Sequence, residues 1–328
     1  MKVLVTGGGG FLGKAIAKRL INRGDRVRSF SRGHYPELRR LGIDVQRGDL
    51  ADKNAVMSAV KGCDAVFHVA AKTGIWGAYR SYYETNVTGT ENIIDACRKN
   101  RVSRLVYTSS PSVIFAGGNM EGVNESAPYP KTYLTHYPKT KAMAERRVLS
   151  ANDTDLATVA LRPHLIWGPG DPNFLPQFIE RRKSGRLAKL GGQPHLVDCI
   201  YIDNAADAHI LAADRLHPNS SISGKVYFIS QGEPIDIGEL MDRILGAAGL
   251  APIDRTVPAS LAYAAGCLLE MIYGILRLQG EPPMTRFLAK QLSTSHWFDM
   301  SAARIELGYS PAISIEEGLR RLAESLKT

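Results

Sequence analysis

Near its start the chain reads VLVTGGGGFLG over residues 3–13, where a short apolar run leads directly into a glycine-rich loop. The run has the length and composition of a buried strand, and a helical pattern follows the loop. The loop fits G-x-x-G-x-x-G through Gly7, Gly10 and Gly13, and G-x-G-x-x-G when Gly8 is taken first. Such glycines allow a tight turn, close packing of helix on strand and close approach of backbone N–H groups to a pyrophosphate. The stretch therefore predicts a dinucleotide-binding loop.

The same loop also has the beginning of a phosphate-binding P-loop, because Gly8 and Gly13 are followed by Lys14. A P-loop needs Ser or Thr at the next position, so that a hydroxyl reaches the magnesium ion. Here the next residue is Ala15. This mismatch argues against a nucleoside triphosphatase.

Strand-like and helix-length segments alternate through the first half of the chain. The β-rich runs are residues 3–6, 27–30, 43–46, 65–69 and 105–108, with a sixth at 157–161. Strands that alternate with helices form right-handed crossovers and a parallel sheet. The sequence thus predicts an α/β fold with a Rossmann-type, doubly wound parallel sheet.

Beyond Arg162 the pattern changes to Pro- and Gly-rich stretches mixed with short strand and helix candidates. This change predicts a smaller C-terminal substrate-binding lobe. We expect residues 1–163 to form a NADP-binding Rossmann domain to which residues of about 196–230 return, and residues 164–195 and 231–328 to form the lobe. The two parts should pack closely, with a cleft between them.

The composition is that of a soluble globular protein, with 328 residues, 44% hydrophobic and 22% charged. The formal net charge is +9, from 41 basic and 32 acidic residues. The basic residues are scattered, and the densest group is only Arg181, Arg182, Lys183 and nearby Arg186. This distribution and the lack of a recognition motif argue against nucleic acid as a partner.

The cysteines indicate a reducing compartment. They lie far apart in the sequence, with no short spacing between any two, at Cys63, Cys97, Cys199 and Cys267. Reduced thiols in a cytoplasmic protein are expected from such a distribution, and no metal site is expected. The apolar run before the glycine loop is also too short for a secretory signal.

Residues 257–276, VPASLAYAAGCLLEMIYGIL, carry one charge, Glu270, and are nearly as long as a membrane span. The favoured interpretation is a buried helical pair, because Gly266, Glu270 and Gly274 interrupt the apolar run. An apolar lid or interfacial helix that touches lipid is the second interpretation, and a transmembrane span is the third. The first two would suit a hydrophobic substrate.

The end of the second strand bears on the choice of nicotinamide cofactor. A site that prefers NAD normally has an acid there, which holds the ribose 2′-hydroxyl. This chain instead has Ser31 and Arg32, with Arg28 as a second cation that could take the place of Arg32. A guanidinium group forms charge-assisted hydrogen bonds with a 2′-phosphate, so NADP(H) is favoured over NAD(H). The alternative is that Arg32 is merely an exposed loop charge.

A Ser-Tyr-Lys set indicates carbonyl chemistry. Tyr137 and Lys141 lie four residues apart on one face of a helix expected to begin at Pro138, and a nearby ammonium group favours the tyrosinate. Ser110 follows the fifth strand, at the sheet edge where such folds bind ligands. We expect Ser110 to bond a substrate carbonyl oxygen, Tyr137 to protonate it and a nicotinamide to supply hydride. The alternative is that these hydroxyls only cap loops.

Taken together, the motifs resemble an extended short-chain dehydrogenase/reductase of the 3β-hydroxysteroid dehydrogenase-like branch. The resemblance covers essentially the whole chain, and its motifs are TGGGGFLG (6–13), GDL (48–50), FHVAA (67–71), NVTGT (86–90), YTSS (107–110), YPKTK (137–141), LRP (161–163) and WGPGD (167–171). The family usually has Tyr where this chain has Trp167. The change keeps an aromatic ring and puts little in doubt.

The resemblance implies the remaining site residues. Asn86 would join Ser110, Tyr137 and Lys141 in the catalytic set by ordering the site. Further cofactor contacts would come from Phe11, Leu12, Asp49, Leu50, Ala70, Ala71, Lys72 and Pro163, and from Tyr137 and Lys141 themselves.

Within this branch the chain resembles bacterial 2-alkyl-3-oxoalkanoate reductases of long-chain olefin biosynthesis. The likeness lies in residues 70–97, 161–171, 197–209, 227–235 and 280–300. It implies NADPH-dependent reduction of a long-chain 2-alkyl-3-oxoalkanoic acid to the 2-alkyl-3-hydroxyalkanoic acid. Those reductases often have Thr where this chain has Ser110, which keeps the hydroxyl.

Such a substrate needs an apolar cavity for its alkyl arms, which residues 257–276 could line. Its carboxylate needs a cation or hydrogen-bond donors, for which Lys72, His164 and His195 are candidates.

The main alternative is a 3β-hydroxysteroid or similar alicyclic alcohol dehydrogenase. A nucleotide-sugar epimerase would need cationic anchors for a diphosphate, and a non-catalytic NADP(H) sensor would not need Tyr137 and Lys141.

The resemblance also implies a homodimer, formed through the helices that hold Thr90 and Tyr137. Peripheral membrane contact and association with enzymes of the same pathway are further expectations.

Overall fold

A computed structural model describes residues 1–172 and 174–327. In chain order the strands are β1 (Lys2–Thr6), β2 (Arg26–Ser31), β3 (Asp44–Arg47), β4 (Ala65–His68), β5 (Arg104–Thr108), β6 (Met120–Val123), β7 (Ala157–Pro163), β8 (Ile166–Trp167), β9 (Lys189–Leu190), β10 (Leu196–Val197), β11 (Ile200–Tyr201), β12 (Lys225–Ile229), β13 (Ile235–Asp236), β14 (Thr256–Val257) and β15 (His296–Phe298).

The α-helices are α1 (Phe11–Asn22), α2 (Pro36–Arg40), α3 (Lys53–Val60), α4 (Tyr79–Tyr82), α5 (Gly89–Lys99), α6 (His136–Ser150), α7 (Phe174–Lys183), α8 (Ile202–Arg215), α9 (Ile237–Ala247), α10 (Ala259–Ile275), α11 (Arg286–Leu292), α12 (Ser301–Glu306) and α13 (Ile315–Ser325). A π-helical turn, Tyr83–Thr88, joins α4 to α5, and a 3₁₀ turn, Pro111–Ile114, follows β5.

In the described residues, seven parallel strands form the central sheet in the order β12-β7-β5-β4-β1-β2-β3. The predicted doubly wound, Rossmann-type α/β sheet is confirmed. The six predicted strands match β1 to β5 and β7 at nearly the same residues, and β12 adds the edge strand. The strand order reverses between β1 and β4, so a crevice opens beyond their carboxyl ends, where Thr6 pairs with His68.

Both faces of the sheet are covered, as the continuous apolar strands require. On β1, Val3 and Val5 pack into the core on the side of α1 and α8, whereas Leu4 packs into a second core with α3, α5 and α6. Every residue of β4 and β7 is buried.

A smaller four-stranded sheet, in the order β13-β10-β15-β6, lies outside the central one, and β8 pairs with β11 and β9 with β14. These small sheets take strands from widely separated parts of the chain, including residues 120–123. The predicted division into residues 1–163 with 196–230, and 164–195 with 231–328, remains a prediction.

The predicted buried helical pair at residues 257–276 is wrong. This stretch forms one helix, α10, in which only Ala262 and Gly266 are buried. The apolar pattern could not show this, because a long hydrophobic helix looks the same in sequence whether or not another element covers it. No helix in the described part of the chain is long and apolar enough to span a bilayer.

One buried ion pair ties α6 to the central sheet. The Arg162 guanidinium on β7 donates to both carboxylate oxygens of Glu145 on α6, at 2.7 and 3.0 Å, and both side chains are buried. The Tyr129 hydroxyl donates to the same carboxylate at 2.6 Å. Because α6 also carries Tyr137 and Lys141, this pair fixes the helix beneath the candidate site.

We expect Arg162→Leu to lower the free energy of unfolding by about 3–5 kcal/mol, because it leaves the Glu145 carboxylate buried without its cation. The double variant Arg162→Leu/Glu145→Leu should lose much less. Arg80→Leu, which breaks an exposed pair with Glu84, should change stability by less than about 1 kcal/mol. Urea denaturation of the three variants tests this. Equal losses in the single and double variants would contradict it.

Candidate active site

The glycine loop forms a cradle of backbone at the N-terminus of α1. Gly7 has φ of +68°, and the Gly10 N–H donates to the Gly7 carbonyl at 2.8 Å. A Cβ atom at Gly13 would lie 2.2 Å from the Gly7 oxygen, and one at Gly7 would lie 3.1 Å from the Ala70 Cβ. No side chain caps the helix at Gly10. The loop therefore fits a pyrophosphate, which needs free N–H groups and room close to the backbone.

A groove of about 650 Å³ runs from this cradle across the carboxyl ends of the strands. The structure brings most of the sequence-predicted site residues together along it: Gly7, Gly10, Phe11, Leu12, Gly13, Ser31, Arg32, Asp49, Leu50, Ala70, Ala71, Ser110, Tyr137, Lys141 and Pro163. Its further lining includes Tyr35, Thr73, Thr85, Thr108 and Ser109. A groove of this length and lining fits an extended dinucleotide.

Two predicted residues lie behind the groove lining. The Asn86 amide accepts from the Lys72 N–H at 2.7 Å, and it donates to the Lys72 carbonyl at 3.1 Å and to Thr140 Oγ1 at 3.0 Å. The Lys72 ammonium lies 5.1 Å from the Tyr82 ring centroid. Asn86 is thus a positioning residue that holds the segment after β4, and its membership of the catalytic set stays a prediction. Lys72 is not among the groove-lining residues, so its cofactor contact also stays a prediction.

Lys141 is buried at the end of β5. Its ammonium donates to the Thr108 carbonyl at 2.6 Å and lies 4.2 Å from the Tyr107 ring centroid. Burial lowers its pKa to about 7, although the negative charge of Glu145 acts to raise it. The helix that carries it begins at His136, with Thr135 at the N-cap, rather than at Pro138 as predicted. Proline is tolerated in this first turn because its missing N–H has no helical partner.

Tyr137 and Ser110 meet at the same end of the groove. Burial raises the pKa of the Tyr137 phenol, and a hydrogen bond with Ser110 opposes that shift. The Ser110 hydroxyl oxygen accepts from the Ser112 N–H at 3.2 Å and from the Ser112 hydroxyl at 2.9 Å. Ser112 therefore orients Ser110, and the phenol stays protonated in the free protein, ready to act as an acid.

Arg32 lies at the opposite end of the groove. Its side chain is 68% exposed, and one guanidinium nitrogen is 3.9 Å from an Asp49 carboxylate oxygen. The Ser31 hydroxyl is buried and has no hydrogen-bond partner among the described residues. Arg28 does not serve as the predicted second cation, because its guanidinium bonds Asp44 at 2.7 Å and the Ala59 carbonyl at 2.8 Å.

Tyr35 is a groove residue that sequence reasoning missed. Its ring packs against the backbone of the glycine loop and of the turn after β2, where a Cβ atom at Gly9 would lie 2.2 Å from it and one at Gly33 would lie 2.6 Å from it. The signal was present, because neither glycine motif requires glycine at position 9. The ring holds the Arg32 turn against the loop.

The histidines proposed for a substrate carboxylate do not line this groove. The His164 Nδ1 is 2.7 Å from the Asp198 carbonyl oxygen, and burial lowers the pKa of the ring to about 4. His195 lines a separate cavity of about 260 Å³ with Lys189 and Met241. The groove offers hydroxyl donors instead. Among them, the buried Ser109 hydroxyl has no hydrogen-bond partner within the described residues.

The chain matches the description "3-beta hydroxysteroid dehydrogenase/isomerase family" over residues 4–258. The chain belongs to this family. The resemblance predicted from the motifs is thereby confirmed, and it now rests on a match that includes the glycine loop, the Ser110 segment and Tyr137.

Relatives of this family member include two proteins named 2-alkyl-3-oxoalkanoate reductase. The one from Stenotrophomonas maltophilia is 52% identical over 99% of both chains, and the one from Shewanella oneidensis is 51% identical over 98% of this chain and 85% of its own. A mouse sterol-4-alpha-carboxylate 3-dehydrogenase (decarboxylating) is 31% identical over 99% of this chain and 90% of its own.

Solved structures agree with the fold. The crystal structure of gox2253 superposes with a TM-score of 0.79 at 27% identity, covering 99% of this chain and 97% of the other. MoeE5 in complex with UDP-glucose and NAD gives 0.76 at 26% identity, covering 100% and 99%. This member of the 3-beta hydroxysteroid dehydrogenase/isomerase family is an NAD(P)-dependent oxidoreductase.

The lowered pKa of Lys141 predicts a pH-dependent cost to stability. Between about pH 7 and the ordinary lysine value near 10.4, Lys141 binds more protons in the unfolded chain than in the folded one, so its contribution to stability rises with pH. Below about pH 7 the cost is present in full. Lys141→Met should therefore raise the melting temperature at pH 6, with a smaller gain at pH 9.

Thermal unfolding at the two pH values measures this effect. Lys139→Met, which removes an exposed lysine of the same helix, is the control and should give the same small change at both. A Lys141→Met variant that is less stable than wild type at pH 6 would show that the hydrogen bond to Thr108 outweighs the desolvation.

Proposed function

We propose that this protein uses NADPH to reduce a long-chain 2-alkyl-3-oxoalkanoic acid to the corresponding 2-alkyl-3-hydroxyalkanoic acid. The observation that carries the reaction is the convergence of Tyr137, Lys141 and Ser110 at one end of a groove that starts at the glycine cradle. The observation that supports the substrate is the identity of 51–52% with two reductases of that name.

When bound in the groove, the nicotinamide cofactor supplies the hydride that reduces the carbonyl carbon. Ser110, oriented by Ser112, donates a hydrogen bond to the substrate oxygen, where negative charge develops. Tyr137 then gives its phenolic proton to that oxygen. The nearby Lys141 ammonium, held by the Thr108 carbonyl, stabilises the tyrosinate that remains.

The preference for NADPH over NADH is part of the proposal. Arg32 offers an exposed guanidinium at the end of the groove where the ribose 2′ position would lie, and Ser31 adds a hydroxyl without another partner among the described residues. The Arg32 guanidinium lies 3.9 Å from the Asp49 carboxylate, so it partly offsets that negative charge at this end of the groove. Charge-assisted bonds of this type favour the phosphorylated cofactor.

The substrate carboxylate would be bound by neutral donors. Lys72, His164 and His195 do not line the groove, whereas Thr73, Thr85 and Ser109 do.

The second candidate function, oxidation of a 3β-hydroxysteroid or similar alicyclic alcohol, is supported by the sterol dehydrogenase relative. It would use the same Tyr137 and Ser110 with a flat substrate.

The expected homodimer and association with pathway enzymes belong to the same proposal. The helices expected to form the dimer contact, α5 and α6, pack against each other within one chain. Light scattering of the purified protein tests the dimer, which a monomer mass would contradict.

We expect the protein to reduce NADP⁺ with a long-chain 2-alkyl-3-hydroxyalkanoic acid, assayed by absorbance in the oxidative direction. Tyr137→Phe should lower kcat by at least about 100-fold, because the acid–base group is lost. NADPH fluorescence should show that this variant still binds cofactor. Tyr133→Phe is the matched control, since its hydroxyl bonds the Val113 carbonyl outside the groove lining.

Two results would redirect this assignment. Turnover of a 3β-hydroxysteroid without turnover of the branched acid would leave the reaction and move the substrate to the second candidate. Full activity in Tyr137→Phe would contradict the proposed acid.

Arg32→Ala should raise KM for NADP⁺ by roughly ten- to a hundredfold and leave KM for NAD⁺ little changed, because the lost bond is to the 2′-phosphate alone. Steady-state kinetics with both cofactors measures the split. Arg39→Ala, an exposed arginine outside the groove lining, is the control. An equal effect on KM for both cofactors would show that Arg32 does not bind the 2′-phosphate.

A further inference from the structure

The exposed face of α10 carries a cluster of large apolar side chains that the groove does not use. Its side chains form a line spaced by three and four residues, here called the α10 stripe: Leu261, Ala264, Leu268, Met271 and Ile275. Two exposed leucines continue it past the helix end, here called the α10 tip: Leu276 and Leu278. Ile275 is 73% and Leu276 63% exposed. Contiguous exposed apolar surface of this kind marks an interaction site.

The opposite face of α10 is firmly packed, so the stripe is a fixed surface. A Cβ atom at Gly266 would lie 2.6 Å from the Thr285 carbonyl carbon, which shows how closely α10 approaches the start of α11. Glu270, the one charge on α10, accepts from the Arg286 backbone N–H at 2.8 Å and from its guanidinium at 2.7 Å. That charge is neutralised away from the stripe.

Cations border the apolar surface. Arg277 is exposed and lies between the two leucines of the α10 tip, in a left-handed conformation with φ of +49°. Lys290 on α11 lies 5.4 Å from the Tyr263 ring centroid of α10. The acidic Glu281 is also exposed, and its carboxylate accepts from the Ile75 N–H at 3.0 Å. A neutral apolar face with a basic border, on a chain of net charge +9, is complementary to anionic lipid.

α10 is also joined to the edge of the groove. Its Tyr273 ring meets Trp76 edge to face, with 6.3 Å between the ring centroids. Trp76 belongs to the segment that continues from the groove-lining Thr73, and Glu281 holds that segment at Ile75. Tryptophan and tyrosine favour the boundary between lipid and water. A lipid surface on the α10 stripe would therefore lie beside the mouth of the groove.

We propose that the α10 stripe and tip dock on the surface of an anionic phospholipid bilayer without crossing it. A second copy of this chain fits the stripe less well than anionic lipid, because both copies carry the same net charge of +9 and repel each other. The proposal stands on the exposed face and its charges. It does not depend on the substrate or on turnover.

Sedimentation with vesicles tests the proposal. The full chain should pellet with phosphatidylglycerol/phosphatidylcholine vesicles, and less with phosphatidylcholine alone or at high salt, since salt screens the basic border. Replacing Leu261, Leu268, Met271 and Ile275 with Gln should lower partitioning at least roughly tenfold, because it removes the buried apolar area. Arg277→Gln should weaken binding only to the anionic vesicles.

Ile305→Gln is the matched control, because Ile305 is an isolated residue on α12 that is 82% exposed. It should pellet like wild type, and unchanged melting temperatures would show that all variants are folded. Equal pelleting by the four-residue variant would overturn the proposal. So would a wild-type chain that ignores vesicles and forms a dimer that this variant dissociates, which would assign the stripe to a second copy.

Discussion

The close approach between the first strand and the first helix is the constraint on which this structure depends. The Gly13 backbone lies against the Gly7 carbonyl with no room for a Cβ atom, and Gly7 lies against Ala70 at the end of β4. The contact sets the α1 N-terminus over the gap between β1 and β4. It therefore places the free backbone N–H groups of α1 at the crevice between β1 and β4. The rest of the groove extends from this point.

The chemistry at the other end of the groove depends on desolvation. Lys141 is buried beneath the sheet edge with the Thr108 carbonyl as its hydrogen-bond acceptor, and the Tyr137 phenol meets Ser110 beside it. Burial raises the pKa of the phenol and lowers that of the ammonium, which moves the two values apart because desolvation disfavours the charged form of each group. The buried Arg162–Glu145 pair stabilises the helix on which this arrangement sits. Stability and reactivity are thus set by neighbouring groups on α6.

Two regions of the protein surface differ in polarity: the groove and the exposed face of α10. The groove carries a polar cofactor end and hydroxyl groups near Tyr137, whereas the longest apolar helix lies outside the core with its stripe exposed. An exposed stripe of this size is unfavourable in water and becomes favourable only when another apolar phase covers it. The contact between Tyr273 of α10 and Trp76 links the two places, because Trp76 lies three residues after the groove-lining Thr73.

The sequence by itself determined the sheet, the cofactor loop and the Ser110, Tyr137 and Lys141 set. Strand periodicity and glycine spacing are local properties, and the motifs keep their meaning wherever the flanking strand and helix are present. It did not determine where Lys72, Asn86 and the histidines point, because two residues next to each other on a loop can face opposite sides of a wall. Tyr35 was missed for a different reason: the extra glycine at Gly9 signalled a close approach, but only folding shows that the Tyr35 ring makes it. The exposure of α10 was decided by tertiary structure alone, because a hydrophobic helix is buried only if other elements are left to cover it.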